Sequence, residues 1–314
     1  MAKTYAIAVI GIGKITDDQH LPVIARNPRF RLAALVSRRG LSRPGAASFK
    51  TLGELLKSGL DIDAVAICTP PNVRHDIART ALDAGKHVLL EKPTTATTAE
   101  TVDLIAHAAA TGRVAFATWH SQFNAAVDEA RRLLAGRRIA RLHIEWKEDV
   151  RRWHPGQEWI WQPGGFGVFD PGINALSIVT RIMPQPIFVA AADLITPRNR
   201  QTPIAAQLTF RSPAASSNAP LTAAFDWRQT GPQSWNIDIE TEDGRKLGLR
   251  DGGSRLAVDG QPKVEQPMQE YERIYARFAE LLDRGESDMD AAPLQLVADA
   301  YLIGRRIETD DFDW

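Results

Sequence analysis

The stretch Glu91-Lys92-Pro93 closes the short apolar run Val88-Leu89-Leu90. An acid and an amine at the mouth of a buried strand can hold and move a proton. In an open parallel α/β sheet, ligands sit just beyond the carboxyl ends of the strands. The proline fixes the chain that carries the lysine, and a Lys-Pro bond is one of the few that can be cis at modest cost. A second concentration of chemistry runs from Trp146 to Trp161, where four of the eight tryptophans are interleaved with charges. Polar groups beside flat aromatic faces suit a sugar, whose hydroxyls take hydrogen bonds and whose C–H face packs on a ring. Glu148, Asp149, Trp153 and His154 are therefore candidate sugar contacts, with His120 from an earlier loop. The alternative for the tryptophans is an anchoring role at a domain or subunit contact. Next, Asp170 and Asn174 stand four apart behind Gly164-Gly165-Phe166-Gly167, so they share a face if a helix starts there. The other reading is a glycine-rich turn capped by Asp170.

The elements that must position these residues are legible in the first 120 positions. Tyr5 to Ile10 is an apolar strand that runs into Gly11-Ile12-Gly13-Lys14-Ile15-Thr16 and then into a helical stretch. These glycines are spaced as in a dinucleotide fold, where the backbone approaches a pyrophosphate at a helix amino end. Thr16 stands where a third glycine is expected. The second strand, Leu32 to Val36, ends in Ser37-Arg38-Arg39. An NAD-specific site usually carries Asp or Glu there for the ribose 2′-hydroxyl. A hydroxyl and two guanidiniums match a 2′-phosphate instead. NADP is expected to be accepted and preferred, chiefly through Ser37 and Arg38; solvated surface arginines are the alternative. A strand from Asp63 ends in Thr69-Pro70-Pro71-Asn72. Asn72 can cap the helix Val73 to Ala84, which Gly85 stops. Helix Thr98 to Ala110 and strand Val114 to Thr118 follow. Strands separated by helices of this length imply a parallel, doubly wound sheet.

After the helix Ala125 to Leu134 the pattern becomes strand-rich. The strands, the first being Arg141 to Glu148, tend to alternate apolar and polar residues. That predicts a mostly antiparallel sheet with one face covered and one open or paired with another subunit. Two helices end the chain, Glu270 to Asp283 and Pro293 to Ile307, and the last is expected to pack back on the first domain. The expected division is 1–121 for the dinucleotide-binding domain and 122–314 for the substrate and oligomerisation domain.

Composition narrows the function classes. The 314 residues carry no formal net charge, so nothing points to nucleic acid or an anionic membrane. No apolar run reaches membrane-spanning length. The single cysteine, Cys68, cannot form an internal disulfide, which fits a reducing cytoplasm; it reads as a buried small residue. No His or Cys cluster has metal-ligand spacing, so no metal is expected.

Taken in order, the Gly11 to Ile15 loop, Thr69-Pro70-Pro71-Asn72, Glu91-Lys92-Pro93 and the Gly164 to Asn174 segment resemble the glucose–fructose oxidoreductase and myo-inositol dehydrogenase family along essentially the whole chain. The Trp146 to Gln157 and Phe169 to Asn174 segments resemble its branch that oxidises C1 of D-galactose and L-arabinose, sugars that differ only at the exocyclic carbon. The resemblance implies a Rossmann domain and an open-faced sheet domain, with a site in the cleft between them. It implies cofactor contacts at Gly11, Gly13, Lys14, Ile15, Ser37, Arg38, Thr69, Pro70, Asn72 and Glu91, and that Lys92 touches the reacting hydroxyl. Most members of the family have a histidine where this chain has Asn174, paired with an acid at the position of Asp170. Asparagine cannot take a proton, which shifts that task to Lys92, to His154 or to water. A lysine base would need burial or a nearby cation to titrate near neutrality; otherwise it stays charged and stabilises the alkoxide. The expected reaction is NAD(P)-dependent oxidation of C1 to the lactone, by a homodimer. The rivals are a dehydrogenase of another polyol, such as an inositol, and a non-catalytic cofactor-binding sugar sensor.

Overall fold

A computed structural model describes residues 3–314. They form two compact units, one of residues up to His120 together with Glu270–Ala291, the other of Ser121–Gln269 with Ala292–Trp314.

The first unit alternates strand and helix. Its elements are β1 (Tyr5–Ile10), α1 (Leu21–Arg26), β2 (Phe30–Val36), β3 (Ala47–Phe49), α2 (Leu52–Lys57), β4 (Ala64–Ile67), α3 (Arg74–Asp83), β5 (His87–Glu91), α4 (Thr98–Thr111) and β6 (Ala115–Thr118). The six strands are all parallel in the order β3-β2-β1-β4-β5-β6. β1 and β4 are buried at every position, as expected of strands covered on both faces. Chain direction across the sheet reverses between β1 and β4, which is where such sheets bind ligands. Local signals set the helix ends. Thr97 and Glu100 form a reciprocal capping box at the start of α4, and Gly112, left-handed at φ 63°, stops it.

The second unit contains α5 (Ala125–Leu134), β7 (Ile139–Lys147), α6 (Val150–Trp153), α7 (Phe169–Ile182), β8 (Phe188–Pro197), β9 (Ala205–Arg211), β10 (Leu221–Asp226), β11 (Ser234–Thr241), β12 (Lys246–Arg250), β13 (Arg255–Val258) and β14 (Gln261–Glu265). The chain then returns to the first unit for α8 (Glu270–Arg284) and comes back for α9 (Ala292–Ile303) and β15 (Arg305–Thr309). The nine strands run β14-β13-β12-β11-β7-β10-β9-β8-β15. All neighbours are antiparallel except β7–β10 and β8–β15. On β7, Leu142, Ile144 and Trp146 are buried, while His143, Glu145 and Lys147 between them are half-exposed. Helix α7 packs on β7 and α9 on β8.

Two sequence expectations change. The last helix stops at Ile303, and Arg305–Thr309 becomes a strand beside β8. It is α8, not this last helix, that belongs to the first unit. The reason lies in the side chains: Tyr271, Tyr275 and Phe278 of α8 are buried, and Phe278 stacks on Phe30 and Phe116. Helix α9 instead packs on α7 and β8 of the second unit.

Candidate active site

The glycine loop follows β1 at the reversal point. Gly11 has φ +92°, and a Cβ there would lie 2.8 Å from the backbone N of Thr69, in the turn after β4. Only glycine serves at that position. A Cβ on Gly13 would meet nothing within 4 Å, so the loop presents open backbone. The hydroxyl of Thr69 is buried beside it with no hydrogen-bond partner. Close-approaching glycines, open space and an unsatisfied hydroxyl fit the pyrophosphate of a dinucleotide. Thr16, in place of the third glycine, is wholly buried and donates its hydroxyl to the Gly11 carbonyl at 2.7 Å. Lys14 pairs with Asp18 and, like Ile15, is exposed.

At the end of β2, Ser37 is buried and Arg38 exposed. Arg39 donates to the Ile12 carbonyl at 2.7 Å, so it braces the glycine loop and leaves Arg38 as the guanidinium open to a phosphate. Thr69 is half-buried, and Pro70 and Asn72 are exposed. Asn72 does not cap α3. The helix begins at Arg74 after a single 3-10 turn over Pro71–Val73, and its cap position, Val73, provides no side-chain hydrogen bond. Arg74 has the larger role, and sequence reasoning passed it over. It is buried; its Nε donates to the Thr69 carbonyl at 2.7 Å, and its Nη1 donates to the carbonyls of Glu91 and Pro93.

Lys92 is half-buried and the Lys92–Pro93 peptide is cis. Glu91, just before it, is buried. Its Oε2 accepts the Lys92 backbone N–H at 3.2 Å. Its Oε1 lies 3.0 Å from His20 Nε2 and accepts from Tyr271 at 2.9 Å and Thr118 at 3.2 Å. The carboxylate is thus an internal anchor, with both oxygens engaged within the first unit. Burial alone would raise its pKa, but the hydrogen bond and charge of His20, with His120 and Arg74, outweigh it and bring the value down to about 2. His20 is fully buried, its Nδ1 2.8 Å from the Tyr275 hydroxyl. Burial opposes its charge, but Cys68, Tyr275 and Glu91 raise it well above the ordinary imidazole range. Cys68 is half-exposed rather than buried, because β4 ends at Ile67. His120 Nδ1 sits 3.1 Å from Glu270 Oε2, and its ring stacks on Tyr271. Burial lowers its pKa, but Glu270 and Glu91 together outweigh burial for a net rise; Lys92 acts against that rise. A short π-type turn over Thr16–His20 turns His20 inward, which no local sequence signal announced.

In the second unit, Asp170 and Asn174 lie one turn apart on α7, as the spacing predicts. Asp170 is buried and Asn174 half-buried. Asp170 is not a cap, since that position is Val168. His154 Nε2 stands 3.4 Å from Asp170 Oδ2, and its ring lies 5.1 Å from that of Trp227. Glu148 is buried and accepts the indole N–H groups of Trp227 at 3.2 Å and Trp235 at 2.9 Å. Asp149 caps α6 through the Arg151 N–H at 3.0 Å. Trp153 is exposed, with its ring edge-on to Trp235. Trp146 and Trp161 are buried and act as packing: Trp161 contacts Trp227, Phe312 and Trp314. Trp227, just after β10, and Trp235, on β11, are the tryptophans that hold the Glu148 carboxylate, and Trp227 lies against the His154 ring. Among the described residues no cluster of His, Cys, Asp or Glu has metal-binding geometry.

Comparison with known proteins shows the family. The family model GFO_IDH_MocA, described as "Oxidoreductase family, NAD-binding Rossmann fold", matches residues 5–118. The galactose 1-dehydrogenase of Pseudomonas fluorescens is 43% identical over 310 residues, 98% of this chain and 98% of that one. The crystal structure of a D-galactose-1-dehydrogenase from Rhizobium etli superposes with a TM-score of 0.94 at 49% identity, covering 100% of this chain and 99% of that one. A 3-ketoreductase from Actinomadura kijaniata, solved with TDP-benzene and NADP, shares the fold with a TM-score of 0.85 at 18% identity, over 98% of this chain and 100% of that one. With a relative of such identity along nearly its whole length, and with the family's model over its first unit, the chain belongs to the GFO_IDH_MocA family of NAD-binding oxidoreductases.

Proposed function

We propose that the protein is an NAD(P)-dependent sugar dehydrogenase that oxidises C1 of D-galactose to the lactone and accepts L-arabinose as well. The observation that carries this is the whole-length likeness, through both units, to two galactose 1-dehydrogenases at 43% and 49% identity. NAD(P)+, when bound, accepts the C1 hydride. The chain's own groups do the rest. Gly11, Gly13, Thr69 and Pro70 hold the pyrophosphate, with Lys14, Ile15 and Asn72 at the rim. Ser37 and Arg38 take the 2′-phosphate and make NADP the preferred form, since Arg38 is exposed at the end of β2. Glu91 acts through the backbone of Lys92. Lys92 takes the O1 proton or holds the developing alkoxide. Asn174 orients O1 or O2 as donor and acceptor. Trp153, His154 and His120 contact the sugar, and Glu148 and Asp149 hold the loop that carries Trp153 and His154.

A second proton acceptor is favoured by one observation: His154 sits 3.4 Å from Asp170, the geometry of an imidazole oriented by a carboxylate. Initial rates with NADP and NAD on D-galactose, L-arabinose, D-glucose and myo-inositol test the function, and lactone release identifies C1 oxidation. Lys92→Ala is expected to cut turnover by more than about tenfold with cofactor binding intact. Turnover surviving in that variant, and lost in His154→Asn, would move the proton to His154. Absence of turnover with every sugar, despite cofactor binding, would favour the sensor. We infer a cytoplasmic homodimer through the open face of the nine-stranded sheet, where His143, Glu145 and Lys147 are half-exposed; light scattering tests the subunit number.

A further inference from the structure

A buried arginine must have its donors satisfied inside the protein. Arg74 is 5% exposed, and three of its hydrogen bonds run to backbone carbonyls. One is that of Thr69, in the turn after β4, at 2.7 Å. The other two are those of Glu91 and Pro93, the residues on either side of Lys92. The guanidinium therefore spans two neighbouring strand ends and brackets the lysine through the backbone. The Glu91 carboxylate in turn accepts the Lys92 N–H. Arg74 is the first residue of α3, so the helix fixes where its side chain starts. Only a planar fork with several donors can reach carbonyls of two separate turns at once; an ammonium cannot reproduce that geometry.

We propose that Arg74 is a positioning residue for Lys92: it clips the cis Lys92–Pro93 turn to the Thr69 turn and so fixes where the lysine amine stands. This rests on the reading of Lys92 as the group that meets the reacting hydroxyl. A misplacement of about 1 Å at a reacting group can cost on the order of 100-fold in rate.

The test uses the full chain with Arg74→Ala and Arg74→Lys, and Arg79→Ala as a control on the same helix. Folding is checked by circular dichroism. Hydrogen exchange of the peptide around 88–96 is followed by mass spectrometry, and kcat, KM for D-galactose and NADPH affinity are measured with and without added guanidinium. In Arg74→Ala, exchange of that peptide is expected to accelerate and kcat to fall by roughly 100-fold. KM should move by less than about threefold, and millimolar guanidinium should restore at least about tenfold of kcat. Arg79→Ala should change none of these. If Arg74→Ala does not fold, Arg74→Lys decides: a kcat at least about tenfold down with KM held supports the clip, and wild-type kcat overturns it. A folded Arg74→Ala with kcat within about threefold of wild type overturns the proposal. So does a loss that tracks NADPH affinity and is not rescued. If wild type oxidises no sugar, the proposed function fails, and the exchange comparison still decides whether Arg74 holds this turn.

Discussion

His154 Nε2 stands 3.4 Å from Asp170 Oδ2, joining the tryptophan-rich loop to the helix that follows the glycine turn. The carboxylate is buried, so it orients the ring more strongly than an exposed acid would. Asp170→Asn keeps the size of the side chain and removes its charge. It is expected to lower kcat by about 100-fold or more, with NADPH affinity within about twofold of wild type. Steady-state kinetics with fluorescence titration of the cofactor checks this. If the two residues act as a unit, adding His154→Asn should cost little further.

Arg38 and Arg39 should separate. Arg38→Ala is expected to weaken NADP by about 10- to 100-fold and leave NAD nearly unchanged, because only the 2′-phosphate is lost to it. Arg39 braces the Ile12 carbonyl, so Arg39→Ala should weaken both cofactors alike. Dissociation constants for both, measured on both variants, give the result.

The two loop glycines should also behave differently. Gly11→Ala demands a left-handed alanine and drives its Cβ to 2.8 Å from the Thr69 backbone N, so it should lower Tm by several degrees and abolish cofactor binding. At Gly13 the added methyl meets no protein atom within 4 Å. Gly13→Ala should keep Tm within about 2 °C and still weaken the cofactor, since the methyl occupies the approach to the backbone. Thermal melts with and without NADPH distinguish the two.

The Glu91 anchor predicts an acid-side loss of stability. Its folded pKa, about 2, lies below the reference value of 4.5. Its contribution is therefore present above pH 4.5 and lost as pH falls toward 2. The Tm difference between wild type and Glu91→Gln should be largest near neutrality and shrink steadily below pH 4.5. His20 is shifted the other way, so its contribution is present below 6.5 and is lost only when pH rises past its elevated folded value.

How much of this was legible in the sequence depended on distance along the chain. The strand–glycine–helix start, the helix beginning at Thr98 and the one-turn spacing of Asp170 and Asn174 are local patterns, and the structure keeps them. What stayed hidden was long-range. Glu91 reads as a loop charge until His20 and Tyr271, 71 and 180 positions away, are found on it. Arg74 looks like an ordinary charge in a first helical turn, since nothing nearby says that its partners are carbonyls at 91 and 93. Asn72 has the right residue type for a cap, but Pro71 begins a tight turn that delays the helix. Strand β15 was read as the end of a helix because its pairing partner, β8, is remote in sequence.

The route of α8 bears on how the protein is made. Residues 121–269 lie between the end of β6 and the helix that completes the first unit's aromatic core. A ribosome must therefore deliver the greater part of the chain before Phe30 and Phe116 meet Phe278. A fragment ending at residue 120 would leave those rings without their partner and His20 without Tyr275. The cofactor unit should not be separable by cutting the gene after β6, but joining residue 120 to residue 270 through a designed linker should give a minimal dinucleotide-binding module.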